Sequence, residues 1–187
     1  MTQSIGRRER KKAATRQKIA DTAMRMFLEQ GYDAVGIRDV AAAADVAVTT
    51  LFAHFPSKEA LVFERDEDFE QRLVRAAGEQ PLIPALEREI AALVRHCASD
   101  GAAPTWRMID SSPALREYDE LMRLRHAEAL ATALAGGDKP SVACRTLARF
   151  TIDAYSLARN ADDPEAALDE IFRMIEAAWT AARPTPQ

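Results

Sequence analysis

Residues 31–61, GYDAVGIRDVAAAADVAVTTLFAHFPSKEAL, decide the fold of this chain. The first half predicts a short helix, because four apolar residues fall at i, i+3, i+4 and i+7 and therefore share one face. Asp45 follows this helix where a helix-turn-helix needs a residue that tolerates positive φ, and aspartate does so better than most non-glycine residues. In a helix-turn-helix the second helix lies in the major groove of DNA. The four apolar residues are Ile37, Val40, Ala41 and Ala44.

Capping residues mark where the neighbouring helices end and begin. Gly31 is placed to end the preceding helix as its C′ residue. Ser57 is a good N-cap for the next helix, which we expect to run from Ser57 to about Ala77. Val46 and Leu51 are placed to hold the second helix of the helix-turn-helix against the first.

The segment resembles the DNA-binding domain of TetR-type bacterial transcriptional regulators. That family's pattern runs roughly G-[YF]-x-x-T-T-[VI]-x-x-[IV]-A-x-x-A-G-V-[ST]-x-G-T-L-Y-x-[HY]-F-x-[SN]-K-x-x-L. The matching residues are Gly31, Tyr32, Ile37, Val40, Ala41, Ala44, Val46, Thr50, Leu51, His54, Phe55, Ser57, Lys58 and Leu61. The departures are Val35, Gly36, Asp45, Ala47, Thr49 and Phe52. The helix layout after the fourth helix is also similar to the actinobacterial branch near the mycofactocin-type regulators.

Three departures alter the chemistry that the resemblance implies for DNA contact. Phe52 replaces a tyrosine whose hydroxyl commonly donates to a phosphate in this family, and Ala47 likewise lacks a hydroxyl. Thr49 replaces a glycine, so its methyl and hydroxyl groups can read base edges. We therefore expect DNA binding with a sequence preference different from that of better-known relatives.

The candidate DNA contacts fall into three groups. Val48, Thr49 and Thr50 are expected at base edges, and the resemblance implies that Arg38 reaches a guanine. Thr50, His54 and Lys58 are the phosphate candidates. The basic cluster before the first helix is expected to be a solvated arm without regular structure, which reaches phosphates or the minor groove when DNA is present. The full set is Arg10, Lys11, Arg38, Ala47, Val48, Thr49, Thr50, Phe52, His54 and Lys58.

The charge distribution supports an N-terminal DNA-binding segment. The whole chain carries a formal charge of −4 at pH 7, but residues 1–62 contain ten Lys or Arg against seven Asp or Glu. The N-terminal part is therefore +3 and the remainder −7. Positive charge concentrates where DNA would lie.

The rest of the chain reads as helix, and we predict an all-α protein of about nine helices. We expect an N-terminal three-helix DNA-binding domain in residues 1–56 with its basic arm. Residues 57–187 are expected to form a helical effector-binding and dimerisation domain. After the break at Pro81 and Pro84, a fifth helix is expected from about Ala85 to Ala98.

The resemblance implies a homodimer and a pocket for a small-molecule effector. In TetR-like proteins the two C-terminal helices usually pair with their symmetry mates, and here both show strong apolar periodicity. Ligand pockets are mostly apolar with a few polar groups, which suggests an apolar effector. The candidate lining residues, each of which taken alone is more often a plain core residue, are Trp106, Met108, Tyr118, Met122, His126 and Phe150.

These features predict a ligand-responsive regulator that represses transcription from a palindromic double-stranded operator. The alternative is a constitutive DNA-binding activator or architectural protein without a ligand switch. Catalysis is not expected, because His54, His96 and His126 are far apart and the usual nucleophile, phosphate and metal motifs are absent from the sequence. We expect no cofactor, no metal and no membrane partner, and a cytoplasmic location.

Overall fold

The computed structural model describes residues 6–63 and 66–182, and within these ranges every regular element is helical. Nine α-helices and one 3₁₀ helix account for the described secondary structure, which confirms the predicted all-α class. The α-helices are α1 (Arg7–Gln30), α2 (Ile37–Ala43), α3 (Val48–His54), α4 (Asp66–Ala76), α5 (Leu82–Ala98), α6 (Ala103–Ser111), α7 (Pro113–Leu134), α8 (Val142–Arg159) and α9 (Pro164–Ala182). The 3₁₀ helix is Glu59–Leu61.

The described chain packs into two compact units. The first contains residues 6–63 together with 104–116, and therefore holds α1, α2, α3, the 3₁₀ helix and nearly all of α6. The second contains residues 66–103 and 117–182. The predicted division of roles at residues 56 and 57 stays a prediction.

The core of the first unit is built from the apolar faces that the sequence predicted. Ile19 and Phe27 of α1, Val40 of α2 and Leu51 of α3 are all buried. Full burial of a side chain of this size stabilises the fold by roughly 1.5–3 kcal/mol. Phe55, directly after α3, is also fully buried and closes the core.

The turn between α2 and α3 ends α2 in the way the sequence predicted. Asp45 has a φ of 51°. The N–H of Val46 donates to the carbonyl of Ala41 at 3.0 Å, and the N–H of Asp45 donates to Ala42 at 3.1 Å. This pair of bonds around a left-handed residue is the Schellman ending of a helix. Gly31 ends α1 with a φ of 91°, as predicted, and its N–H donates to Phe27 at 2.9 Å.

The predicted continuous helix from Ser57 to Ala77 is wrong. The Ser57 hydroxyl accepts from the N–H of Ala60 at 3.3 Å and so caps only the 3₁₀ helix. A separate helix, α4, begins at Asp66. The chain forms a turn at Val62 and has no helical conformation at Phe63, so the 3₁₀ helix and α4 are separate elements.

The second unit packs α5 against α8 and α9. Helix α5 begins three residues earlier than predicted, because Pro84 occupies its first turn, where a missing N–H costs nothing. Ser141 caps α8, and its hydroxyl accepts from the N–H of Cys144 at 3.1 Å. The α8 stripe is buried at Leu147, Thr151, Ala154, Tyr155 and Ala158, whereas Phe150 is exposed.

Candidate nucleic-acid interface

The outer face of α3 is open to solvent while its inner face is held in the core. Leu51 is fully buried, whereas Thr49 and Phe52 are exposed, and Val48 and Thr50 are partly exposed. Ala47 is also exposed. It is the N-cap residue of the helix and has an extended backbone conformation. The structure thus brings the predicted base-reading residues together on one exposed helix.

Phe52 is an unusual residue to leave in water on a helix of seven residues. Its side chain is 49% exposed. Covering the rest of the ring with another surface would contribute about 1 kcal/mol, since full burial of a phenylalanine is worth roughly 1.5–3 kcal/mol. The methyl group of thymine is an apolar surface of suitable size in the major groove. The residue that lacks the family hydroxyl therefore offers an apolar contact instead.

Arg38 is an exposed residue of α2, whereas Val40 and Ala41 are buried. The neighbouring Asp39 accepts from the N–H of Gly36 at 2.9 Å and so caps the helix. Within the described residues, Arg38 makes no side-chain hydrogen bond or ion pair. Its guanidinium group is available for an outside acceptor.

Lys58 makes contacts inside the first unit that the sequence did not predict. Its ammonium group donates to the carbonyl of Tyr32 at 2.6 Å and lies 4.0 Å from the centre of the Tyr32 ring. It also lies 5.7 Å from the centre of the Phe27 ring. Burial lowers the pKa of this lysine. Its phosphate role stays a prediction, and the free structure disfavours it, because these contacts would have to break first.

The backbone carbonyl of His54 is held by the scaffold at the end of α3. Its carbonyl accepts from the Arg16 guanidinium at 2.6 Å, and Arg16 lies 4.4 Å from the centre of the Phe55 ring. Burial, followed by the positive charges of Lys12 and Arg16, lowers the pKa of His54. A lowered pKa favours the neutral imidazole. In that form it can donate one hydrogen bond to a phosphate but brings no positive charge.

The predicted unstructured arm is wrong for residues 7–12, which form the first turns of α1. The Glu9 carboxylate accepts from the N–H of Gly6 at 3.2 Å, and the carbonyl of Gly6 accepts from the N–H of Arg10 at 3.1 Å. Arginine and lysine are good helix formers, so the cluster continues the helix. Arg10 and Lys11 are exposed along it, and residues 1–5 lie outside the described residues.

The sequence reasoning missed the residues that support this surface from behind. The Tyr32 hydroxyl donates to Glu59 at 2.9 Å, and the Tyr32 ring meets the Phe27 ring edge-on at 5.1 Å. Burial, then the bond to Glu59, raises the pKa of Tyr32. Arg16 was detectable in the sequence, because it lies three residues before Ile19 on the buried face of α1.

The six predicted ligand-lining residues fall in different units. Trp106 and Met108 lie on α6 in the first unit. Tyr118, Met122 and His126 lie in the second unit at i, i+4 and i+8 on α7, where His126 meets Phe69 edge-on at 5.3 Å. Phe150 is 51% exposed on α8, which argues against a place in an enclosed pocket of this chain. No helix among the described residues is long and apolar enough to span a membrane.

Comparison with known proteins agrees with this geometry. The sequence profile described as "Bacterial regulatory proteins, tetR family" matches residues 19–64. The chain is 40% identical over 82 residues to the transcriptional regulator TcmR of Streptomyces glaucescens, over 41% of this chain and 36% of TcmR. It is 40% identical over 70 residues to the repressor KstR of Mycolicibacterium smegmatis, over 34% of each chain.

These matched segments span less than half the length of the curated relatives. A solved TetR-family regulator of Streptomyces coelicolor has the same fold, with a TM-score of 0.66 and 19% identity over 96% of this chain and 99% of that one. Because the profile covers α1 from Ile19 through the helix-turn-helix and the 3₁₀ helix, the match lies on the segment that forms the exposed surface. Over residues 19–64, which form this surface, the chain is similar to the TetR family of bacterial regulatory proteins.

Proposed function

We propose that this protein is a transcriptional regulator that binds a palindromic double-stranded operator as a homodimer. The observation that carries the proposal is the exposed outer face of α3, with Thr49 and Phe52 open to solvent while Leu51 anchors the helix. An exposed helix of this kind in a helix-turn-helix reads base edges in the major groove.

Repression is the proposed direction of regulation. KstR of Mycolicibacterium smegmatis, which is 40% identical over its matched segment, is named a repressor. The relatives compared above are named as regulators, so the proposal of a regulator without catalytic activity is consistent with them.

A second copy of the chain is the proposed partner at α8 and α9. In the second unit, α8 exposes three apolar residues within about 80° of arc, spread over about 22 Å of the helix at 1.5 Å per residue, and α9 exposes a fourth. Large exposed apolar strips mark interaction sites. Two recognition helices are also required to read both halves of a palindrome. The exposed residues are Val142 at 82%, Phe150 at 51%, Leu157 at 61% and Met174 at 67%.

A small apolar effector is the proposed signal, and Tyr118, Met122 and His126 are its proposed contacts. Met122 and His126 are buried and share one face of α7 with Tyr118, so one surface offers a thioether, an imidazole and a phenol. An effector that prefers the DNA-free state by about a hundredfold would supply about 2.7 kcal/mol of coupling. The alternative is a constitutive DNA binder without a switch, and a ligand that copurifies with the protein would argue against it.

Selection of genomic fragments with the purified full chain tests the proposal. A shared palindrome with half-sites one or more helical turns apart is the expected result. Two variants serve as controls: Thr49→Asp places a carboxylate on the exposed face of α3, and Thr132→Asp makes the same change at an exposed position of α7. Enrichment should disappear with the first and persist with the second. Enrichment without a palindrome, or equal enrichment with both variants, would refute operator reading by α3.

A further inference from the structure

A groove in the first unit has no part in the proposed DNA contacts. It lies between the end of α1 with the turn after it and the α6 segment, and it has a volume of about 520 Å³. All of its lining residues belong to the first unit. Small-molecule sites in proteins are typically about 300–1,000 Å³, so the groove is large enough for a ligand.

One wall of the groove is apolar. Phe27 and Leu28 of α1 line it together with Met108 of α6. Leu28 is exposed, so part of this wall faces water in the free protein. An apolar ligand body would cover that wall and gain the free energy of removing both surfaces from water.

The polar side of the groove has one cation and one buried hydroxyl without a partner. Arg107 lines the groove, is exposed, and makes no side-chain hydrogen bond or ion pair within the described part of the chain. Ser112 also lines it, and only 4% of this residue is exposed. Its Oγ has no hydrogen-bond partner among the described residues. A buried hydroxyl without a hydrogen bond costs free energy, so a polar ligand group that forms a hydrogen bond with Ser112 would be favoured.

We propose that this groove binds an amphipathic monocarboxylate. The planar guanidinium of Arg107 matches the two oxygens of a carboxylate, and Ser112 can donate to the same group. Asp33 lines the groove as well, and its negative charge disfavours a dianion such as a phosphate monoester. At ~30 Å³ per water molecule, the groove has the volume of about 17 water molecules, which is enough for a chain of about ten carbons with its carboxylate.

This site differs from the proposed effector contacts. Tyr118, Met122 and His126 lie in the second unit, whereas the groove lies wholly in the first. Carboxylate binding is therefore measured without DNA, and it can succeed or fail independently of operator binding.

Isothermal titration calorimetry of the full chain with decanoate, decanol and decyl phosphate tests the proposal. Decanoate should bind at least tenfold more tightly than the other two. Arg107→Gln should weaken decanoate binding tenfold or more, and Leu28→Gln should weaken it severalfold. The matched control is Arg116→Gln, because Arg116 is exposed in the same unit but does not line the groove.

Retained decanoate affinity in Arg116→Gln, together with its loss in Arg107→Gln, would support the site. Equal affinity in the two variants would overturn it, since decanoate would then bind elsewhere. Absence of decanoate binding to the unsubstituted chain would also overturn it. Decanol or decyl phosphate binding as tightly as decanoate would overturn the assigned ligand class.

Discussion

Replacement of Lys58 by methionine separates a scaffold role from a phosphate contact. The lysine donates a charge-assisted hydrogen bond of 2.6 Å to the carbonyl of Tyr32 and lies 4.0 Å from the centre of the Tyr32 ring. Hydrogen bonds to charged groups contribute about 1.5–3 kcal/mol, and an exposed cation–π contact about 0.5–1 kcal/mol. Methionine keeps the apolar stem and does not require desolvation of an ammonium group, which offsets about 1–2 kcal/mol of this loss in stability. The expected net loss is about 2 kcal/mol.

Two assays on the same variant test this value and its meaning. Thermal unfolding should show a midpoint lower by about 4–8 °C, at roughly 2–4 °C per kcal/mol for a chain of this size. Binding to generic duplex DNA across a salt series should keep its slope, whereas loss of a phosphate contact would reduce the slope by about 0.9. Lys18→Met, at an exposed position of α1, is the stability control. Unchanged stability together with a reduced slope would refute the scaffold role.

Four further results are expected from the first unit. Asp45→Ala should lower the free energy of unfolding in urea by about 1 kcal/mol, because an alanine with positive φ bears the left-handed strain, and Asp45→Gly should change it by less than ~0.5 kcal/mol. His54 has a lowered pKa in the fold, so its contribution to the free energy of unfolding is fully present above its unfolded pKa and is lost as the pH falls through the folded pKa. The stability advantage of the unsubstituted chain over His54→Gln should therefore shrink as the pH is lowered below about 6.5. Arg38→Gln should relax one base position of the operator at a cost of about 1–3 kcal/mol in a competition assay. The double variant Arg10→Gln/Lys11→Gln should reduce the salt slope on generic duplex DNA by about two if both contact phosphates.

The helix-turn-helix was predictable because its signals are local. The apolar spacing of α2, the left-handed Asp45 and the ending of α1 at Gly31 each depend on a few adjacent residues, and the structure confirms all three. The break between the 3₁₀ helix and α4 was missed, because the spacing of apolar residues indicates a helix but does not mark where one helix ends and the next begins.

Contacts between distant residues could not be predicted from spacing. Lys58 and Tyr32 are 26 positions apart, and Arg16 and His54 are 38 apart. A lysine near a recognition helix reads as a phosphate ligand in a sequence, because nothing in the sequence shows that a backbone carbonyl and a ring already hold its ammonium group. The six ligand candidates stay a prediction, and residue type alone does not show in which of the two units each of them lies.

The scaffold contacts of Lys58 change where DNA affinity must come from. Its ammonium group is engaged inside the fold, the pKa of His54 is lowered, and Phe52 and Ala47 lack hydroxyls, so the surface around α3 has few polar groups that can position a phosphate. Phosphate contacts supply the salt-dependent part of affinity, and base contacts supply discrimination. Under the proposed function the first part falls to the basic start of α1, which is helical and exposed, and the second to α3 with Arg38. We therefore expect affinity and specificity to depend on separate helices, so that substitutions in one leave the other largely intact.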